Sequence, residues 1–366
     1  MKKLNNLSND FEYELLNENQ QDIGLREKIV TLYATPFCDI LWWEARGYSV
    51  KNGECYKLYY YERSVLKHII LFKHFVQMPK KIIVLNQEFN IDLRDIENIC
   101  CILFNEFEKA RQVVFINVFQ TNHCQPWKVV IEESSNDVII SDLPNSIDDY
   151  LKSLSKNTRH NIKSAINHIS RDFPDYKIHF LKKDEILFEH IERLLSLNSE
   201  RMKTKGKIVT PIHIESKKFH QYVSTSGFCF LGVCTIEDKM ISGILFAIVG
   251  EHAYGFVIAH DNSYNPYSIG LITYFNSIKY TIEKNNTKYF HLLRGSEWYK
   301  FRLGGINHYL YNVRVFRNYD VYYFWNKTLN YCNVNYRKFK SRIKNNKIAY
   351  NFYTRIKNME MRKQGV

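Results

Sequence analysis

The side chains best suited to proton transfer lie in the stretch from Gly227 to Gly305. His260 closes an apolar run, and an imidazole has a usual pKa near neutrality, which suits a general base. Glu297 and Tyr299 follow further along the chain and offer a second base and a phenolic acid. Each also has an ordinary explanation, as a hydrogen-bonded histidine at a strand end, a solvated glutamate and a packed tyrosine. We therefore treat these three as candidate catalytic residues.

The elements around these residues form a meander, a loop and a helix. Three β-type runs over residues 227–236, 240–249 and 253–261 are joined by short polar connections, which is typical of hairpins. A loop follows, then an apolar-periodic helix over residues 271–285 and a strand-like run over residues 288–295. This order predicts that the helix begins beside the end of the third strand.

Such a helix start can hold a pyrophosphate, because the N–H groups of a first helical turn are unpaired and carry partial positive charge. Gly270 lies at this point, and a residue without a side chain lets a large anion approach the backbone. We therefore expect phosphate contacts from the segment Tyr267, Ser268, Ile269, Gly270 and Leu271.

Three motifs give the chain a family resemblance. Residues 294–300 read Arg-Gly-Ser-Glu-Trp-Tyr-Lys, residues 299–305 read Tyr-Lys-Phe-Arg-Leu-Gly-Gly, and residues 154–162 contain L-S-K-x-x-R-x-x-I. With the element order, they resemble GNAT acyltransferases. Within these, the likeness is to the branch found in cellulose and exopolysaccharide gene clusters, which is distantly related to the Fem peptidyltransferases.

The resemblance implies an α/β fold of two GNAT-like lobes, with mixed, mostly antiparallel central sheets flanked by helices. It also implies acetyl-CoA or another acyl-CoA as the cofactor. In that family the pantetheine arm pairs with the strand before the helix, which here points to Ile258 and Ala259. Of the family's usual phosphate loop, this chain keeps only Gly270.

Four basic residues are candidate ligands for the substrate. Arg159 and Lys163 are four residues apart on a predicted helix over Lys156–Arg171 and so share one face. Arg294 and Lys300 flank the motif that contains Glu297. The alternative for the helical pair is a solvated basic face, which is the common state of such residues.

Composition sets limits on the class of protein. The chain has 366 residues, a formal net charge of +13 and an apolar content of 45%, which suits a globular protein that attracts anionic partners. Its eight cysteines include no C-x-x-C pair, and His123-Cys124 alone is too little for zinc, so no metal is expected. The absence of a long apolar run or a secretory signal predicts a cytoplasmic protein, peripheral to a membrane at most.

Patterning divides the chain into three parts. Residues 1–142 repeat the strand–helix–strand theme without the motifs and are predicted to form a degenerate GNAT-like lobe, with its last strand over Trp127–Glu132. Residues 143–320 form the lobe with the acyl-CoA site, in which a loop reaches Lys217 and a short helix covers Lys218–Ser226. Residues 321–366 form a basic, aromatic helical tail that suits an anionic membrane surface or tRNA, unless it is simply solvated.

The prediction for function is an acyl-CoA-dependent N- or O-acyltransferase, specifically an acetyltransferase, that acts on a sugar or related polar metabolite in surface-polysaccharide biosynthesis. Two alternatives stay open. One is a Fem-type transferase that draws on aminoacyl-tRNA, which the basic tail would suit. The other is an inactive GNAT-like binding module, for which the reduced phosphate loop is the argument.

Overall fold

The computed structural model describes residues 2–3, 11–17, 24–46, 54–75, 81–120, 128–204, 211–285, 287–319 and 321–345. The strands within these ranges are β1 Lys2–Lys3, β2 Phe11–Asn17, β3 Glu54–Glu62, β4 Val65–His74, β5 Lys81–Val84, β6 Asn90–Ile91, β7 Gln112–Gln120, β8 Val129–Ile140, β9 Lys177–Lys182, β10 Cys229–Ile236, β11 Lys239–Val249, β12 His252–His260, β13 Tyr289–His291 and β14 Ile306–Phe316. The helices are α1 Leu25–Tyr33, α2 Ile40–Ala45, α3 Leu93–Glu106, α4 Ile147–Ser153, α5 Lys156–Asp172, α6 Phe188–Thr204, α7 Ile212–Ser226, α8 Ile269–Asn285, α9 Trp298–Arg302 and α10 Val321–Asn345.

The strands join in one mixed sheet in the order β1-β2-β3-β4-β5-β7-β14-β8-β13-β12-β11-β10-β9, with β6 paired to β7. Most neighbours are antiparallel, and the parallel pairs are β5–β7, β6–β7 and β12–β13. Helices flank this sheet. The predicted class, a mixed and mostly antiparallel α/β fold, is therefore confirmed, and the sheets of the two predicted lobes are continuous with each other.

The sheet contains an internal repeat. In the first half, β2 to β5 form an antiparallel meander, α3 follows, and β7 returns parallel to β5. In the second half, β9 to β12 form an antiparallel meander, α8 follows, and β13 returns parallel to β12. The next strand of each half is exchanged: β8 pairs with β13, and β14 pairs with β7. The exchanged strands also pair with each other along their length, which ties the halves together.

The two halves differ where a strand leads into its helix. In the first half, the short strand β6 pairs with the end of β7 and fills the opening beside it, through Asn90–Phe119 and Ile91–Gln120. In the second half, β12 and β13 pair over only three residues each, and β12 then continues to His260. The second half therefore keeps an open strand edge.

Local sequence explains most of these elements. Ser146 and Ser155 are the N-caps of α4 and α5, with each hydroxyl accepting from the backbone N–H three residues later. Two predicted boundaries were wrong. α7 begins at Ile212, directly after Pro211, because proline suits the start of a helix. β8 extends to Ile140 rather than ending at Glu132.

Of the tail, the structure describes α10 up to Asn345, and the predicted basic side chains from Arg337 onward lie outside the described residues. His123 and Cys124 also lie outside them. Within the described ranges, no helix is long and apolar enough to cross a bilayer. No group of three or more His, Cys, Asp or Glu side chains in those ranges has the arrangement of a metal site. The division at residues 142 and 320 stays a prediction.

Candidate functional site

The open edge of β12 is the backbone of the candidate site. β12 carries a bulge, since Leu245 pairs with Val257 and Phe246 pairs with Gly255. Past the bulge, the Asp261 N–H donates to the Ile241 carbonyl at 2.8 Å. Because backbone direction alternates along a strand, Ala259 faces β11, whereas Ile258 and His260 direct their N–H and C=O groups to the open edge. A bound extended chain would find its hydrogen-bond partners there.

A cavity of about 210 Å³ lies between the end of β12 and the start of α8. His260 Nε2 donates to Asn265 Oδ1 at 2.9 Å, which leaves Nδ1 turned toward Gly270. A Cβ on Gly270 would lie 3.0 Å from that Nδ1, so only glycine fits without displacing the ring. The lining comprises Thr158, Asn161, Arg201, Ile258, His260, Asn265, Ser268, Ile269, Gly270, Leu271, Tyr274, Trp298, Tyr299 and Arg302.

The N-terminus of α8 makes the electrostatic potential positive at one end of this cavity. Ser268 has a left-handed backbone with φ 53°, and its carbonyl accepts from Leu271 N–H at 2.9 Å. Ile269 and Gly270 are then the first helical residues, so their N–H groups have no intrahelical acceptor. Arg302 adds a cation and stacks 3.9 Å from the ring centroid of Trp298. The cavity therefore suits a ligand with an apolar arm and an anionic group.

A second, larger cavity of about 680 Å³ lies between the N-terminal half and the β12–β13 region. Its N-terminal wall is aromatic, with Trp42 of α2 stacked on Phe256 at 5.1 Å between ring centroids. Arg26 holds this wall in place by pairing with Asp39 at 2.9 Å and donating to the Ser226 carbonyl at 2.7 Å.

The polar lining of the larger cavity is rich in cations. Arg46 pairs with Glu215 at 3.1 Å, and Lys218 lies 3.4 Å from the same carboxylate. Arg201 Nε is buried without a hydrogen-bond partner among the described residues. The charged residues that line this cavity are Arg46, Arg201, Lys218, Arg294 and Lys300, against Glu88 and Glu297. The balance favours a polar ligand with anionic character.

The two cavities meet, because Arg201, Ile258, Tyr274 and Tyr299 line both. The ring centroids of Tyr274 and Tyr299 are 5.6 Å apart, and their hydroxyls are hydrogen-bonded to each other. Burial, with Glu297 nearby, raises the pKa of Tyr299, so its phenol stays protonated at neutral pH. A protonated phenol therefore lies where a group in one cavity would meet a group in the other.

The motif over residues 294–300 shapes this junction. Lys300 is only 3% exposed, and its ammonium donates to the carbonyls of Leu293 at 2.8 Å and Arg294 at 2.7 Å. Burial lowers the pKa of Lys300. Gly295 has φ 98°, a left-handed conformation that favours glycine, and its N–H donates to Asn136 Oδ1. Lys300 thus fixes the chain that leaves β13, and with it Arg294 and Glu297.

Sequence reasoning missed Glu88, which reaches the larger cavity from the first half. Its side chain is 3% exposed, and Oε1 lies 3.4 Å from the Arg294 guanidinium. Burial, followed by the charge of Asp137, raises the pKa of Glu88 to about 8, while Arg294 acts against this shift. A positive φ of 53° at Glu88 marks the site in the structure, but no motif marks it in the sequence.

A buried polar chain lies behind Glu88. Asp137 of β8 is 2.6 Å from His291 Nδ1, and His291 Nε2 is 3.0 Å from His252 Nδ1. The ring of Tyr254 stacks on that of His291 at 4.0 Å. Burial, with His291 beside it, lowers the pKa of His252 to about 4. This chain holds the Asp137 carboxyl in place behind the cavity.

The structure gathers most of the predicted site residues. His260, Ile258, Ser268, Ile269, Gly270 and Leu271 line the smaller cavity, Arg294, Glu297 and Lys300 line the larger, and Tyr299 lines both. Ala259 is fully buried in the core instead. Tyr267 donates to Asp172 at 3.1 Å, outside both linings.

The helical pair lies apart from the two cavities. The Arg159 guanidinium donates to the last carbonyls of α4, including Lys152 at 3.0 Å. Lys163 lines a separate open depression with His160, Asn167, His168 and Arg171. Arg159 therefore caps a helix, and neither side chain lines the cavities beside β12.

Comparison with known proteins agrees with this architecture. Residues 156–301 match the family model of the acetyltransferase (GNAT) domain. No curated protein matches the chain in sequence. Two of the solved structures that share the fold serve as examples. FemX is 10% identical, with a TM-score of 0.55, over 82% of this chain and 96% of that chain. A conserved protein of unknown function from Bacteroides thetaiotaomicron VPI-5482 is 13% identical, with a TM-score of 0.51, over 80% and 96%.

The described residues thus form an α/β fold with an open strand edge at β12. Residues 156–301 are similar to the acetyltransferase (GNAT) domain. The particular branch, that of the cellulose and exopolysaccharide gene clusters, stays a prediction.

Proposed function

We propose that the chain is an acyl-CoA-dependent acyltransferase that joins an acyl group to an amine or hydroxyl of a polar acceptor. The observation that carries this proposal is the meeting of two cavities at Ile258 and Tyr299. One is narrow and lies beside an open strand edge, and the other is wide and polar. A transferase needs this arrangement, because the donor and the acceptor must reach one point from two sides.

The residues of the smaller cavity fit an acyl-CoA. The open edge of β12 at Ile258 and His260 offers backbone groups to the amides of a pantetheine arm. The first turn of α8, at Ile269 and Gly270, offers N–H groups to a pyrophosphate. The bound thioester would supply the acyl group. The Ile258 N–H is placed to stabilise negative charge on a carbonyl oxygen at the junction.

Different side chains at the junction are proposed to donate and to accept protons. Tyr299 carries its proton at neutral pH and is placed to donate it to a departing sulfur. His260 and Glu297 stay candidates for the base, with His260 on the donor side and Glu297 on the acceptor side. The acceptor is proposed to be a sugar or related polar metabolite, since polar and charged side chains line the larger cavity. Acetyl-CoA as the donor and surface-polysaccharide synthesis as the pathway rest on the sequence motifs.

A titration with acetyl-CoA tests this function. We expect wild type to bind saturably and to gain melting temperature, because a ligand that binds only the native state stabilises it. Gly270→Asp should remove this gain by placing a carboxylate against the helix start. Ser224→Asp adds the same charge on an exposed position of α7 and should keep the gain. Absence of any shift at millimolar acetyl-CoA would overturn the proposal.

The Fem-type alternative is kept because FemX shares the fold. It predicts a salt-sensitive complex with aminoacyl-tRNA and no acyl-CoA binding. The inactive-module alternative predicts that acetyl-CoA binds without turnover, or does not bind at all. The same titration, followed by an assay for free thiol, separates these outcomes. The cytoplasm is the proposed compartment, since the described cysteines are free thiols.

We also propose that α10 rests on an anionic membrane surface. One face of α10 is anchored to the sheet, since Asn330 Nδ2 donates to the Ile131 carbonyl at 3.2 Å. The other face exposes Val321, Phe324, Trp325 and Leu329, each at least 44% exposed. Their spacing forms one apolar stripe, and a run of lysines and arginines follows in the sequence from Arg337. Aromatic residues beside basic ones suit a lipid headgroup region.

A further inference from the structure

We propose that Glu88, which lies outside the segment that matches the GNAT model, takes the proton from an amine acceptor in place of the candidate bases His260 and Glu297. This inference rests on the proposed acyltransferase function and assigns a catalytic part to the N-terminal half. It makes that half a component of the site, rather than only a scaffold for it.

The placement of Glu88 is fixed by its backbone. Its φ of 53° is uncommon for a residue with a side chain, and such conformations persist only where neighbours hold them. The Glu88 N–H donates to the Asn117 carbonyl at 2.7 Å. Next to it, Gln87 N–H donates to the Phe37 carbonyl, and the Gln87 carbonyl accepts from Cys38 Sγ at 3.4 Å. The turn that carries Glu88 is thus bound on both sides.

The repeat in the sheet explains why this turn reaches the cavity. Glu88 lies between β5 and α3, the position in the first half that corresponds to the segment between β12 and α8 in the second. In the first half β6 follows this turn and pairs with the end of β7. Glu88 lines the larger cavity, as do Ile258 and Tyr299.

The carboxyl of Glu88 has one oxygen available for a ligand. Oε1 faces Arg294 at 3.4 Å, whereas Oε2 is buried and has no hydrogen-bond partner among the described residues. A buried polar atom without a partner is costly and therefore points to a ligand that completes it. The residue as a whole is 4% exposed.

Charged and titratable groups surround this carboxyl on each element packed against it. Asp137 of β8 opposes its ionisation, and Arg294 favours it. Cys38 and Tyr254 also lie within electrostatic reach and are held neutral by burial, which raises the pKa of each. With its pKa near 8, the Glu88 carboxyl exchanges its proton in the range where a base is most effective.

A protonated amine in the larger cavity gives one proton to Glu88 Oε2, and its lone pair then forms the C–N bond as the C–S bond breaks. Tyr299 gives its proton to the departing sulfur and takes the second N–H proton in exchange, and Glu88 returns its proton to water. No oxidant or reductant is needed.

Two small nucleophiles test this assignment. Ethanolamine is protonated near neutral pH and requires a base, whereas hydroxylamine is largely unprotonated and requires none. We expect wild type to accelerate CoA release from acetyl-CoA with both. Glu88→Gln should lose at least about 100-fold of the ethanolamine rate and less than about threefold of the hydroxylamine rate. Its ethanolamine rate should follow the fraction of unprotonated amine and keep rising beyond pH 8, whereas the wild-type rate should level off near the pKa of Glu88.

Controls separate this inference from the proposed function. Glu192→Gln, on the exposed side of α6, should behave as wild type with both nucleophiles. Glu88→Gln must still bind acetyl-CoA in a titration. Equal losses with both nucleophiles, no loss with either, or acetyl-CoA binding by wild type without acceleration by either would each overturn the role of Glu88. Failure of wild type to bind acetyl-CoA would instead overturn the proposed function itself.

Discussion

The titration of Glu88 has a consequence for stability that is independent of catalysis. In the unfolded chain this carboxyl titrates near its ordinary pKa of 4.5, and in the folded chain its pKa is about 8. The folded state therefore binds the proton more tightly. The stability that this provides is full below the unfolded pKa and is lost as the pH rises through the folded pKa. Glu88 should thus make the protein less stable at pH 8 than at pH 5.

The magnitude follows from the pKa difference. Each pKa unit corresponds to about 1.4 kcal/mol, so the window between about pH 5 and about pH 8 should cost about 3 kcal/mol of unfolding free energy. Glutamine cannot ionise and keeps the shape of the side chain. The difference in unfolding free energy between Glu88→Gln and wild type should therefore shift by about 3 kcal/mol in favour of the variant across that window.

Urea unfolding at several pH values, followed by circular dichroism, measures this difference. Comparing the two proteins at each pH cancels the titration of the other groups. The reasoning is refuted if the difference between variant and wild type is constant with pH, because Glu88 would then titrate alike in both states. A shift of opposite sign would show that Arg294, rather than burial and Asp137, controls the carboxyl.

Three further variants, one of them a double substitution, test other parts of the structure. Lys300→Met should lower the unfolding free energy by about 2–3 kcal/mol in urea, because the carbonyls of Leu293 and Arg294 lose their shared donor; an unchanged stability would show that water replaces the ammonium. Arg159→Met should cost about 1–2 kcal/mol by uncapping α4 and leave acetyl-CoA binding intact; a raised acceptor KM at unchanged stability would instead make Arg159 a substrate ligand. Phe324→Ser with Trp325→Ser should weaken sedimentation with phosphatidylglycerol vesicles at least about tenfold, whereas Ile306→Ser, an equally exposed apolar position on β14, should not. Binding of tRNA but not of vesicles, or self-association through α10, would contradict the membrane proposal.

The part of the site that is proposed to bind acyl-CoA, between β12 and α8, was predictable because its sequence signals are local. The apolar β-type runs of β10 to β12, the tight connections between them and the apolar periodicity of α8 are all found in short stretches of sequence. They predict that α8 starts beside the end of β12, and the structure confirms this order. Gly270 was expected to leave room for a phosphate, and the structure adds that a Cβ there would lie only 3.0 Å from His260 Nδ1.

The larger cavity, which is proposed to bind the acceptor, was not predictable from local sequence signals. β8 reads as a short strand because polar residues follow Glu132, yet those residues find partners in the sheet. Glu132 pairs with Arg314 at 3.1 Å, Ser134 donates to the Leu310 carbonyl, and Asp137 contacts His291. These pairings join residues far apart in sequence, and no short sequence pattern indicates them.

Glu88 was not predicted as a site residue for the same reason. Its burial, its unpaired oxygen and its neighbours arise only when the first half packs against Arg294 and Asp137. Lys300 shows the converse case, since its motif was recognised but its role was not. A lysine beside a candidate catalytic residue suggests a ligand for substrate, whereas here the ammonium is used to hold two backbone carbonyls.

The structure of a complex with CoA tests the central claim most directly. We expect the pantetheine arm to lie along the open edge of β12, with its amides bonded at Ile258 and its pyrophosphate at the Ile269 and Gly270 N–H groups. The sulfur should then point toward Tyr299. A complex in which CoA binds elsewhere, with the space between β12 and α8 still empty, would contradict the account.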